Sequence, residues 1–261
     1  MSHARHWATR LTHESKLHAE NSFVTLTYSD DKLPIDRGLS KIEFQRFMKR
    51  LRERVDDRTI RFFGCGEYSD PPARRPHYHA ILFGVDFHED WRPVKKTPYG
   101  LLYTSPRLEQ LWGLGHVSIG AVTPQTAGYV AGYALKKATH HNGGENYQRL
   151  TEFGEIVDVE SEFLLMSRRP GIGRGWWDKY ASDAFPSDFL VIQGKKVPVP
   201  PYYRNLLNAA GDGLVPASLD IDRQRRKKAA ARAADDTTER RLVIDELQNI
   251  AATRKPRNVE Q

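Results

Sequence analysis

The chain has 261 residues, of which 39% are hydrophobic and 28% charged, so it can bury a sizeable core and has an ordinary soluble composition. It contains neither an apolar run of about 18 residues nor a secretory signal, so we expect no membrane association. The single cysteine, Cys65, excludes a disulfide framework and a cysteine zinc site within one chain, and favours a reducing, cytoplasmic setting.

The charge balance is basic, with 40 Lys and Arg residues against 33 Asp and Glu residues and a formal net charge of +7. A basic surface attracts polyanions, of which nucleic acid is the most common. Charge alone leaves open the alternative of a basic protein that binds no nucleic acid.

The first predicted elements are an amphipathic helix over residues 3–20 and a strand over residues 23–28, rich in β-branched and aromatic residues. After a turn, Ser40 and Glu43 predict a capping box at the start of a helix that runs to residue 54. Its core face is predicted from apolar residues at helical spacing, namely Ile42, Phe44, Phe47, Met48 and Leu51.

Two strands over residues 60–68 and 77–87 are joined by a segment with three prolines, which predicts an antiparallel hairpin. Residues 88–104 contain Pro93 and Pro98 and are predicted to be irregular.

A short helix over residues 106–111 and a strand over 116–122 are expected next. Thr123 as N-cap and Pro124 as first helical residue then predict a helix through the sequence TAGYVAGYALKKA.

Beyond residue 142 the pattern weakens, but a strand over 163–166, a loop and helix over 167–180 and a hairpin around Gln193-Gly194 are predicted. From about Ser218 the composition shifts to a charged helix former with little apolar surface. We therefore divide the chain into a main domain (1–185), a proline-containing hairpin and linker region (186–217) and a charged helical tail (218–261).

The order of these elements predicts an α+β fold, with a central antiparallel sheet and helices packed on one of its faces.

The strongest chemical signal is His77-Tyr78-His79 at the start of a predicted strand. Alternate side chains of a strand share a face, so the two imidazoles form a pair that suits a metal ion. The alternative is two half-exposed strand histidines. The apolar strand that follows and the carboxylate of Glu67, on the preceding hairpin strand, favour a three-ligand metal site with open coordination positions.

A second signal lies on the helix that follows Thr123, where Tyr129 and Tyr133 are four residues apart and share a face. Lys136 and Lys137 lie one turn further on. A phenol that attacks phosphorus, with a lysine to offset the developing charge, is suited to phosphoryl transfer. Two core tyrosines at helical spacing are the alternative.

Together, FVTLTY, HYH and YVAGYALKK resemble, in this order, the three motifs of the HUH endonuclease superfamily. The segments GEYSD…RRPHYHAILFG, RHWATRLTHES and SRRPGIGRGWWDKY look like the replication initiators of microviruses, particularly the gokushovirus type. The resemblance covers about residues 3–182. Many of these relatives carry a cysteine-rich segment before the first helix, and we expect no such zinc-supported element in this sequence.

The resemblance implies an RRM-like palm that nicks one strand at an origin and stays joined to it through a 5′-phosphotyrosine, starting rolling-circle replication. His77, His79 and Glu67 would hold Mg²⁺ or Mn²⁺, Tyr129 and Tyr133 would be nucleophiles, and Lys136 or Lys137 would contact phosphate. A host DNA polymerase would extend the 3′-OH in the cytoplasm of a bacterial cell. A host helicase would unwind the duplex, because the sequence has no GxxxxGK[ST] phosphate loop.

Several arginines are candidates for contact with the DNA. Arg74 and Arg75 precede the histidine strand, where they would guide a phosphate backbone toward the metal. Arg168, Arg169 and Arg174 lie near Trp176 and Trp177, and such a mixture suits single-stranded DNA if the tryptophans are exposed, although they can equally anchor a helix to the core.

Three other functions remain open at this stage. A non-catalytic DNA-binding or packaging protein explains the charge but not the histidine, glutamate and tyrosine motifs in this order. A metallohydrolase would use the histidine pair without forming a covalent adduct. A relaxase or transposase would share the chemistry and act on a different DNA.

Overall fold

The computed structural model describes residues 2–55, 58–71, 73–97, 100–138, 147–151, 153–185 and 187–210, together with residues 226, 227 and 230. The side chains of residues 133–138 lie outside the described set. The helices are α1 (Ser2–Ser15), α2 (Lys41–Arg54), α3 (Pro106–Trp112), α4 (Pro124–Ala138), α5 (Arg174–Ala184) and α6 (Pro201–Ala210). The strands are β1 (Asn21–Thr27), β2 (Arg61–Tyr68), β3 (Pro76–Phe83), β4 (Arg92–Thr97), β5 (Gly100–Thr104), β6 (Val117–Gly120), β7 (Gln148–Leu150), β8 (Ile156–Asp158), β9 (Phe163–Met166), β10 (Phe189–Ile192) and β11 (Lys195–Pro198).

The centre of the molecule is a seven-stranded sheet in the order β4-β5-β6-β1-β3-β2-β9. Each neighbouring pair is antiparallel, which confirms the predicted α+β class. The histidine strand β3 lies between β1 and β2 and is hydrogen-bonded along both sides. This interior position fixes the backbone on which the histidines are mounted.

One face of the sheet packs against α2 and α3. Tyr78 and Leu82 of β3 are fully buried there, together with Phe47 of α2 and Trp112 of α3. The Trp112 indole donates a hydrogen bond to the carbonyl of Thr27, so the polar edge of this large side chain is satisfied inside the core.

The other face packs against α1 and α4, with Leu11 and Val130 buried against Phe63, Ile81 and Phe83. Helices therefore cover both faces, and the prediction that they pack on one face is wrong. The reason lies in β2 and β3, whose sequences RFFGCGEY and PHYHAILF carry apolar residues on both sides of the strand. A strand that is apolar on both sides needs a cover on each.

A third cluster joins α5, the β10–β11 hairpin and α6. Trp176 is 6% exposed and Trp177 is 3% exposed, and both stack near the buried ring of Tyr203. The two tryptophans therefore anchor α5 to the core and present no stacking surface for bases. The hairpin around Gln193-Gly194 is confirmed, while the proposed domain boundaries remain predictions.

Several predicted boundaries need correction. The first helix ends at Ser15 rather than residue 20, and the histidine strand ends at Phe83 rather than residue 87. Residues 92–104 contain the β4–β5 pair, whereas we expected irregular structure there. Proline misled the prediction, because β4 is an edge strand with a register shift after Pro93, where a missing N–H costs no ladder hydrogen bond.

The helix starts follow the sequence closely. The Ser40 hydroxyl accepts the N–H of Glu43, and the Thr123 hydroxyl accepts the N–H of Thr126, as N-caps do. The second half of the predicted capping box is absent at Ser40, because its N–H donates to the Tyr78 hydroxyl. Ile42 is 59% exposed and does not join the predicted core face of α2.

Among the described residues, no helix has both the length and the apolarity required to cross a bilayer.

The buried imidazole of His13 makes folding sensitive to acid. Its ring stacks on Trp176 at 3.7 Å between centroids, and Nδ1 lies 3.0 Å from the Tyr203 hydroxyl. Burial, with a smaller contribution from Lys16, lowers the pKa of His13 to about 3. The unfolded chain therefore binds this proton as the pH falls below about 6.5, and the folded chain does not.

We expect the free energy of unfolding to fall by about 1.4 kcal/mol per pH unit from His13 below about pH 6.5. Urea unfolding at several pH values should show a shallower acid dependence for His13→Gln. His88→Gln is the control, because His88 is exposed and the Asp86 carboxylate raises its pKa. Identical slopes for wild type and His13→Gln would contradict this assignment.

Candidate metal centre

The carboxylate of Glu67 lies between the imidazoles of His77 and His79. Its Oε1 atom is 3.5 Å from Nε2 of His77 and 2.9 Å from Nε2 of His79. One ligand atom from each residue can be chosen so that all three lie within 4.8 Å of one another. The structure thus brings together the three residues that the sequence suggested as metal ligands.

The register of the β2–β3 hairpin produces this cluster. Glu67 is the direct cross-strand partner of His77, and Cys65 is the partner of His79. The alternation of strand side chains places both histidines on the α4 side of the sheet, while Tyr78 enters the α2 side and is fully buried. A shift of one residue in this pairing would send Glu67 to the wrong face.

Each imidazole is held through its second nitrogen. Nδ1 of His77 lies 3.2 Å from the carbonyl of Arg75, which can only accept, so this nitrogen carries the proton and Nε2 is directed at Glu67. Nδ1 of His79 lies 2.9 Å from the hydroxyl of Thr25 on β1. Such contacts orient histidine ligands and set their tautomer.

Thr25 was missed as a site residue by reasoning from sequence. The strand FVTLTY was recognised as a motif, but its pairing with β3, which sets Thr25 directly opposite His79, became apparent only in the folded sheet. The signal available in the sequence was the alternation of Thr25 and Thr27 with apolar residues.

Electrostatics keep the Glu67 side chain ionised although it is 3% exposed. Burial alone raises the pKa of Glu67, but hydrogen bonds and positive charge from His77 and His79 outweigh it and lower the pKa to about 2. A carboxylate beside two oriented imidazoles is a donor set that suits a divalent metal ion.

Tyr129 on α4 lies against this cluster. Its ring meets the His79 ring edge-on at 5.8 Å between centroids and the Phe23 ring at 6.2 Å. Helix α4 continues from Tyr129 to Ala138, and residue 133 lies about 6 Å further along its axis. The side chains of Tyr133, Lys136 and Lys137 are outside the described residues.

The candidate DNA-binding arginines are divided between the two ends of the sheet. Arg74 and Arg75 lie in the β2–β3 turn, next to the metal ligands. Arg75 is held locally, because its guanidinium binds Asp30 at 2.6 Å and the carbonyl of Tyr28 at 2.9 Å.

The loop with Arg168 and Arg169 follows β9 at the other end of β2, where the N–H of Ser167 bonds to the carbonyl of Phe62. Arg174 begins α5 there and pairs with Asp178 at 2.7 Å. These three arginines are therefore not brought to the metal cluster.

Comparison with known proteins places this site in a family context. Residues 21–138 match the model of the family described as "Replication-associated protein ORF2", a segment that includes all three candidate ligands and Tyr129. The replication-associated protein VP4 of Bdellovibrio phage phiMH2K is 34% identical over 211 residues, covering 77% of this chain and 62% of the relative. This chain is a homologue of the phage replication-associated proteins.

Two further relatives of this homologue have similar coverage. The replication-associated protein ORF4 of Chlamydia phage 1 is 29% identical over 218 residues, covering 77% of this chain and 49% of the relative. The replication-associated protein ORF2 of Spiroplasma virus 4 is 27% identical over 216 residues, covering 78% and 63%. The aligned part thus spans less than two thirds of each of these relatives.

These matches confirm the microvirus-type resemblance read from the motifs. No solved structure matches the chain significantly.

The hydroxyl of Thr25 should support metal binding through His79. We expect Thr25→Val, which keeps the branched shape, to weaken Mn²⁺ binding about tenfold in isothermal titration calorimetry. Thr27→Val is the matched control, because its hydroxyl donates to the carbonyl of His116 and touches no ligand. Unchanged affinity in Thr25→Val would refute a supporting role for this hydroxyl.

Proposed function

We propose that this protein is a replication initiator that nicks single-stranded DNA at a phage origin by tyrosine attack and later rejoins the ends. The observation that carries the proposal is the contact of the Tyr129 ring with His79, which adjoins a phenol to a buried cluster of metal-type ligands. The names of the homologous phage proteins support a role in replication.

The proposed first step is attack by a tyrosine oxygen on the phosphorus of the scissile phosphodiester. The bond from phosphorus to the 3′ oxygen breaks, the phenol loses its proton, and the 3′ oxygen gains one. The products are a 5′-phosphotyrosine ester and a free 3′-OH. The ester preserves the energy of the broken phosphodiester, so the reverse attack by a 3′-OH rejoins DNA without ATP.

The residues of the cluster support this step in distinct ways. Glu67, His77 and His79 would hold Mg²⁺ or Mn²⁺, which when bound polarises a phosphate oxygen and offsets developing charge. The contacts of Thr25 and the Arg75 carbonyl orient the two imidazoles. Tyr129 needs such an environment because a phenol with a pKa near 10 is a poor nucleophile at neutral pH.

A second tyrosine would allow a second transfer in the same protein. Tyr133 follows Tyr129 by one helical turn, so one phenol would cut the origin and the other would cut the regenerated origin one round later. Lys136 and Lys137 would supply positive charge to the phosphate. Extension of the 3′-OH and unwinding are assigned to a DNA polymerase and a helicase of the bacterial host, in whose cytoplasm the reaction would occur.

Removal of the phenol oxygens should abolish the covalent adduct. The wild type, incubated with Mn²⁺ and a single-stranded library carrying the origin region, should give a protein–DNA band that persists on a denaturing gel. We expect Tyr129→Phe/Tyr133→Phe to lower adduct formation by about 10³-fold or more, because the nucleophile is lost while the rings remain.

Tyr103→Phe is the control for this experiment, because Tyr103 stacks on Trp91, remote from the ligands, and should leave the adduct unchanged. Undiminished cleavage in the double tyrosine variant would overturn the nucleophile assignment. Cleavage with no adduct in the wild type would indicate a metallohydrolase instead.

His77→Ala should separate catalysis from DNA binding. Loss of one of three ligands should reduce cleavage to background, while binding of single-stranded DNA, measured by fluorescence anisotropy in EDTA, should change less than about threefold. A non-catalytic DNA-binding protein would show equal behaviour of wild type and His77→Ala in both measurements.

A further inference from the structure

A cleft of about 480 Å³ opens beside the β2–β3 turn, at the same end of the sheet as the metal ligands. Its walls come from the loop after β1, from the turn itself and from β7. Each wall contributes one arginine, namely Arg37, Arg74 and Arg149. We call this feature the arginine cleft.

The walls of the arginine cleft are joined by the hydroxyl of Tyr68, the residue after Glu67. This hydroxyl accepts the N–H of Leu39 at 3.0 Å and donates to the carbonyl of Glu160 at 2.8 Å. The guanidinium of Arg149 lies over the Tyr68 ring at 5.0 Å. The cleft is therefore part of the folded core and is coupled to the strand that carries a metal ligand.

The charge of the arginine cleft has one sign. Its described lining residues include three arginines and no carboxylate. Of the acidic residues on the segment that leads to β9, Glu160 lies 3.9 Å from the amine of Lys41, and Glu162 accepts a hydrogen bond from Tyr147 at 2.6 Å. An anion is thus the ligand that this lining favours.

Apolar side chains flank the arginines and are turned to solvent. Ile35 is 69% exposed and Leu150 is 72% exposed, and both line the cleft. Phe153 at the tip of the β7–β8 hairpin is 74% exposed. A cleft of this volume that combines guanidinium groups with apolar and aromatic surface is suited to nucleotides, whose phosphates and base faces need both.

We infer that the arginine cleft binds the nucleotides of the single strand that flank the phosphodiester at the metal centre. This inference rests on the proposed function and adds a second contact region to it. The Cα atoms of Arg74 and His77 lie within about 11 Å, the reach of three residues, so one strand can contact both regions.

The path between the two regions also limits which DNA can follow it. Tyr68 belongs to the core under α2, whereas Glu67 and His77 face α4, so a bound strand must turn around the end of the β2–β3 hairpin. A flexible single strand can turn in this way, whereas duplex DNA has a persistence length of about 150 base pairs. The cleft therefore selects single-stranded over double-stranded DNA.

The test compares Arg37→Ala/Arg74→Ala with Arg46→Ala/Arg54→Ala, which removes the same charge from the outer surface of α2. Binding of a fluorescein-labelled, mixed-sequence single-stranded oligonucleotide is followed by anisotropy in EDTA at several salt concentrations. We expect the cleft variant to bind about tenfold more weakly, with a salt slope smaller by about 1.4, or about 0.7 for each lost phosphate contact. The α2 variant should bind as the wild type does.

Equal binding by the cleft variant and the wild type would overturn the inference, as it would if the cleft bound an acidic protein instead. Equal loss in both variants would overturn it too, because general charge would then explain the effect. Arg37→Gln alone, at an exposed position, keeps the test valid if the double variant does not fold. Adduct formation by the tyrosines is measured separately, so failure of the cleft leaves the proposed chemistry standing, and the reverse also holds.

Discussion

The central constraint in this protein is the buried carboxylate of Glu67 between two imidazoles. A charge with 3% side-chain exposure is costly unless partners compensate it. Here the partners are His77 and His79, and they are available only because β2 and β3 pair in one register. The electrostatic requirement of the site and the hydrogen-bond pattern of the hairpin are therefore satisfied by the same arrangement.

The surrounding layers preserve that arrangement from both sides. Tyr78 lies between the two histidines in sequence, and its ring is locked into the α2 face, so β3 cannot rotate or slip without emptying a core position. On the opposite face, α4 brings Tyr129 to His79, while β1 brings Thr25 to the same ring. A sheet covered on both faces thus supplies a rigid base on one side and reactive groups on the other.

Patterns local in the chain were predictable, and those that depend on distant partners were not. The β2–β3 hairpin, the N-caps Ser40 and Thr123 and the three metal-type ligands follow from residues that lie close together in sequence. The β4–β5 pair was missed, because its prolines are tolerated only at a sheet edge, which local sequence does not reveal. The burial of Trp176 and Trp177 depends on α6, almost thirty residues later.

The sequence by itself determined the α+β class, the histidine pair with its glutamate and the family resemblance, because alternation and helical spacing are local properties of the chain. Only the tertiary structure decided that helices cover both faces, that Thr25 holds His79, and that Arg37, Arg74 and Arg149 meet in one cleft. These contacts join segments far apart in sequence, and their register and packing are set by the fold as a whole.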